Sequence, residues 1–114
     1  MFSFIKTLLN RPGISHRRHQ RVACEQVAEL YFPDKRISLH GMVIEASCGG
    51  ALFREASRFI LDRRDENVIL KAAGLEIPGT IVNVRDVGYG ILFNQEIDED
   101  TIARLVDGRD LKAA

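Results

Sequence analysis

Tryptophan is missing from this chain of 114 residues, aromatic side chains of any kind make up only 7% of it, and cysteine occurs just twice. So few aromatics, none interleaved with the basic residues, leave no stacking platform for single-stranded nucleic acid. Cys24 and Cys48 have no secretory context around them, which excludes a disulfide framework and fits free thiols in a reducing cytoplasm. They form no Cys-x-x-Cys pair, so the spacing argues against a zinc site assembled from His16, His19, Cys24 and Cys48. Net charge is absent too: 16 basic side chains meet 16 acidic ones, and the whole chain has no bulk attraction for a nucleic-acid polymer or an anionic membrane. Long apolar runs are lacking. The opening MFSFIKTLLN is interrupted by Lys6 and ends within 10 residues, too short for a membrane span or the organisation of a signal peptide. No serine has a Gly-x-Ser-x-Gly context, and neither cysteine has an activating motif. The glycines of VGYG, Gly88 and Gly90, lack the following helix of a phosphate loop. A protein that is not an enzyme is expected.

What is there is a core and a polarised distribution of charge. An apolar content of 46% in 114 residues suits one compact domain. Residues 1–21 carry Lys6, Arg11, Arg17, Arg18 and Arg21 against no acid, and HRRHQR, His16 to Arg21, concentrates that charge. Residues 86–110 are acidic, with Arg104 and Arg109 the exceptions. Phe2, Ile5, Leu8 and Leu9 fall at helical spacing, so a short amphipathic helix is expected before Pro12 and Gly13 break it. Gly13 to Gln20 follows no hydrophobic period and is expected to be an extended basic arm.

From Val22 the pattern is that of strands. VACEQVAELYF runs to Phe32 and stops at the turn signal Pro33 to Lys35; Ile37 to Ser47 and Ala51 to Phe53 are two strands separated by CGG. ASRFILDRR fits either a helical turn or a loop. NVILKAA and LEIPGTIVNV form a hairpin about Gly74, with Pro78 marking an edge or a bulge, and Val87 to Asn94 is the next strand. DEDTIARLVDGRD offers Asp98 or Asp100 as N-cap, places Ile102, Leu105 and Val106 on one face, and ends at Gly108. The expected fold is all-β with a terminal helix: a small six-stranded antiparallel barrel, preceded by the short N-terminal helix. Its parts are residues 1–21 as amphipathic segment and basic arm, 22–108 as barrel with helix, and 109–114 as a tail.

Two short motifs give the arm a possible role. Arg17 and Arg21 make an Arg-x-x-x-Arg pair, and EASCGG, some two dozen residues later, is similar to an Asp/Asn-x-Ser-x-x-Gly turn through Glu45, Ser47 and Gly50. In that order, with the strand count and the terminal helix, they resemble the motif pair of the PilZ domain family over roughly residues 16–106. The resemblance implies a bacterial, cytoplasmic receptor for the second messenger cyclic di-GMP, with no cofactor. The ligand-binding residues it points to are Arg17, Arg18, Arg21, Glu45, Ser47, Gly49 and Gly50, with Arg54 as an added contact just past the turn. The family usually has Asp or Asn where this chain has Glu45, whose carboxylate stands one methylene farther out.

The chemistry agrees with the resemblance. Cyclic di-GMP carries two phosphates and two guanines, and needs anion binders, partners for guanine edges, and backbone free of side chains at closest approach. An arginine fork matches phosphate oxygens or guanine O6 and N7. Ser47 can donate or accept, and Gly49 and Gly50 permit close backbone approach. An unidentified protein partner is expected to receive the signal. The chain itself is expected to be a monomer or a weak homodimer through Phe2, Ile5 and Leu9. The alternative is a degenerate PilZ-like barrel that binds no nucleotide and serves as a protein-interaction module.

Overall fold

The computed structural model describes residues 21–57 and 60–107. The expected N-terminal helix, the arm with Arg17 and Arg18, and the tail lie outside the described residues. Six strands, β1 (Val22–Phe32), β2 (Ile37–Ala46), β3 (Gly50–Glu55), β4 (Asn67–Ala72), β5 (Leu75–Arg85) and β6 (Gly88–Phe93), precede one helix, α1 (Glu99–Asp107). Every pairing is antiparallel, and the strands close into a barrel in the order β1-β2-β3-β6-β5-β4. Closure leaves no free sheet edge among these strands.

The chain turns where its sequence says it must. Pro33 ends β1, and the turn is fixed by the Lys35 and Arg36 N–H groups donating to the Phe32 carbonyl at 3.1 and 2.7 Å. The β4–β5 hairpin turns on Ala73 and Gly74, both left-handed at φ 52° and 77°, the conformation of the two-residue turn that matches strand twist. Pro78 lies where the β5 ladder pairs with β4, just ahead of the β6 ladder, which opens at Gly79; the bulge in β5 comes later, between Ile81 and Asn83. The segment after β3 resolves as a loop rather than a helical turn in its described part. Leu61 N–H donates to the Tyr89 hydroxyl at 3.2 Å, and the Arg63 guanidinium lies 5.1 Å from the Phe32 ring centroid.

Inward-facing residues fill the barrel. Leu30, Phe32, Val43, Phe53, Leu70, Ile81 and Tyr89 are fully buried. Asp98 caps α1 by accepting the Thr101 N–H at 2.7 Å. The helix then packs on β1 and β2 and buries Ile102 and Leu105, each worth about 2 kcal/mol at the usual value for a buried aliphatic side chain. No helix among the described residues is long and apolar enough to cross a membrane.

Candidate functional site

Two bulges decide what the outer wall of the barrel displays. On β2, Val43 faces the core and pairs with Phe53, but Glu45 pairs with Leu52, so Ile44 is an extra residue. Strict alternation from Val43 would send Glu45 inward; the bulge turns it out and puts Ala46, 1% exposed, into the core. On β5 the same happens at Val82. Ile81 pairs with Ile91 and Asn83 with Gly90, so Asn83 and Arg85 face outward although they share the parity of buried Ile81.

The register then sets four residues in a row across four strands: Glu45 on β2, Leu52 on β3, Gly90 on β6 and Asn83 on β5. Around that row lies a cleft of about 260 Å³, whose lining includes Arg21, Glu45, Ser47, Gly49 and Gly50 on one side and Val82, Asn83, Arg85 and Leu92 on the other. Five of the eight expected ligand residues therefore meet in one hollow. Arg17 and Arg18 lie outside the described residues. Arg54 is not part of the lining; it is exposed on β3, with its Nη2 3.9 Å from Met42 Sδ.

The near wall is a held turn. Ser47, 7% exposed, accepts the Gly49 N–H at 3.3 Å through its hydroxyl and donates to the Gly50 carbonyl at 3.4 Å, beside a Ser47 N–H bond to that same carbonyl at 2.8 Å. The Gly49 and Cys48 carbonyls accept from Phe93 and Ile97, each at 2.9 Å, which ties the turn to the end of β6 and the approach to α1. Ser47 thus acts as the brace of the turn. Gly50 has no room for a side chain, because a Cβ there would fall on the Ile91 carbonyl oxygen.

Arg21 Nη1 stands 3.6 Å from Glu45 Oε1, and the guanidinium side chain is 69% exposed. An ion pair this open is weak and readily exchanged for a stronger anion. Burial, with the Glu45 carboxylate adding to it, pushes the Cys24 thiol up, and burial beside Glu99, Glu96 and Asp98 does the same to Cys48. Neither thiol is poised as a nucleophile. Among the described residues no cluster of His, Cys, Asp or Glu is arranged to hold a metal ion.

Asn83 and Arg85 were not legible as site residues, since polar residues at alternate positions are ordinary on a strand. The signal was their parity: following inward Ile77, Gly79 and Ile81 at the same spacing, they can face water only past a bulge.

A closed antiparallel barrel with, among the described residues, one helix packed on it and a cleft on its outer wall lined by Arg21, Glu45 and Arg85 is a small β-barrel domain. The family is PilZ: the PilZ domain model matches residues 15–108, and the chain belongs to that family, whose members generally bind cyclic di-GMP. The matched range takes in both motifs. No curated protein matches the chain.

Proposed function

We propose that this protein is a bacterial, cytoplasmic, non-enzymatic receptor that binds cyclic di-GMP in the cleft and passes the signal to a protein partner. The observation that carries this reading is the meeting of Arg21, Glu45, Ser47, Gly49 and Gly50 around one cleft, with residues 17 and 18 a few positions upstream of its rim. Arg21 and the arm arginines supply charge for the phosphates, Glu45 accepts from a guanine's N1 and N2 donors, and the turn at Gly49 and Gly50 gives the ligand unobstructed backbone. Ser47 holds that turn in shape. Each charge-assisted contact contributes about 1.5–3 kcal/mol, enough in two or three to offset the ordering of an arm that closes over the ligand. Closure of the arm then changes the surface offered to the partner.

Calorimetric titration with cyclic di-GMP tests the binding, with an Arg17→Ala/Arg21→Ala double variant beside the wild type. Micromolar or tighter binding that the double variant loses is expected. No heat from the wild type at high ligand concentration would leave the barrel as an interaction module only. Protection of the arm from protease by saturating ligand checks the closure, and equal cleavage with and without ligand would rule it out.

A further inference from the structure

The far wall of the cleft has a composition of its own. Arg85 is exposed there, and no hydrogen bond or ion pair engages its side chain among the described residues. The same wall exposes two aliphatic side chains, Val82 at 44% and Leu92 at 56%, on the other side of Asn83 from Arg85. Asn83 shares the wall, with its carboxamide laid over Gly90; a Cβ on that glycine would come within 2.5 Å of Asn83 Oδ1. A wall that combines an unpartnered arginine with exposed aliphatic surface suits a flat, partly apolar ring better than a phosphate. The ring's face can cover the methyl groups while its polar edge meets the fork, whereas a phosphate would lose hydration against them.

The distance between the walls matters as much. Glu45 and Asn83 stand three strand steps apart along the wall, with Leu52 and Gly90 between them. The two walls therefore offer separate sets of polar groups, and a ligand with two bases can give one to each. Resting on the proposed binding of cyclic di-GMP, we infer that Arg85 is a specificity-determining residue that reads the second guanine of the ligand through its O6 and N7 edge, while the near wall holds the first. Adenine presents an N6 amine where guanine presents O6, and sets a donor against the guanidinium's donors. The protein therefore discriminates at both bases, and Arg85 supplies the discrimination at the second.

The test is titration of the full chain with cyclic di-GMP and with the mixed cyclic GMP–AMP dinucleotide, which has one guanine to give the near wall and an adenine left for the far one. Wild type is expected to prefer cyclic di-GMP by about tenfold to a hundredfold, the usual discrimination of one bidentate arginine–guanine pair. Arg85→Ala and Arg85→Lys should both bring the preference close to one, because lysine keeps the charge and lacks the fork. Arg21→Ala should weaken both ligands and leave their ratio unchanged. Unchanged melting temperatures, expected for an exposed position, show that the variants are folded. A wild type that binds both dinucleotides alike, or an Arg85→Lys variant that keeps the full preference, overturns the role of Arg85 and leaves the receptor reading standing. A wild type that binds neither overturns both.

Discussion

The outer wall of the barrel has two faces that differ in what they do with a long cationic side chain. On β1, β2 and β4, around the shallow hollow lined by Val27, His40 and Lys71, two of the charged groups are engaged by neighbours on the same wall: the Ser38 hydroxyl donates to Glu29 Oε2 at 2.6 Å, and Lys71 Nζ lies 4.9 Å from the Tyr31 ring centroid. On β3, β5 and β6 the wall is opened by glycine, and the Arg85 guanidinium meets no partner among the described residues. The first face is finished, at Glu29 and Lys71, by its own side chains. The second is finished only by something brought to it. A hollow alone does not separate the two, since both faces have one; the state of the polar groups around it does.

Gly50 is where the faces part most sharply. Gly50→Ala drives a methyl into the Ile91 carbonyl, backbone that cannot swing aside, and overpacking of this kind costs about 1–3 kcal/mol. A lower urea midpoint is expected, together with loss of affinity for cyclic di-GMP, whereas Lys71→Ala on the finished face should leave affinity where it was. Equal loss of affinity from both would erase the distinction. Ser47→Ala comes next. It removes the brace between Gly49 and Gly50 and should cost about 1 kcal/mol by chemical unfolding. Affinity should fall with it, since the turn it shapes is part of the cleft.

The smallest effect is expected in acid, and it acts on the start of α1. The side-chain and then the backbone hydrogen bond to Thr101 hold the Asp98 carboxyl below its ordinary 3.8. A carboxylate depressed in the folded state contributes stability above its unfolded value and loses it as pH falls through the folded one. The cap should therefore be intact at neutral pH and weaken from about pH 4 downward, near the unperturbed aspartate value. Asp98→Asn, which still caps but cannot titrate, should show a shallower decline in melting temperature over that range than wild type. An identical acid profile for both would remove Asp98 from the account.

Much of this was written plainly in the sequence. The strand-forming run to Phe32 ends at Pro33 and β1 ends with it; Gly74 marks the β4–β5 turn; the acidic start of α1 resolves to Asp98. The near wall was legible because its residues are contiguous: EASCGG is a turn before it is anything else. The segment after β3 was not, because three apolar residues in a row fit helix or loop equally, and tertiary partners, Tyr89 and Phe32, settle it. The far wall was hidden for a different reason. Asn83 and Arg85 gain meaning only from Gly90 on another strand and from a register that local pattern does not fix.

The extra residue at Val82 also bears on how this chain can change in length. Within a strand, losing one residue ordinarily turns every later side chain to the opposite face, exchanging core for solvent. Val82 stands outside that rule on β5. The residues on either side of it are already half a period out of step, so its removal would bring Ile81 and Asn83 into regular succession, with Ile81 still inward and Arg85 still outward. A shortened β5 lacking only Val82 keeps its core and its charged wall, and gives up the local twist and one aliphatic flank of the cleft. Loss of Val84 instead would break the phase and swing Arg85 inward, so two deletions that differ by two positions would have opposite fates.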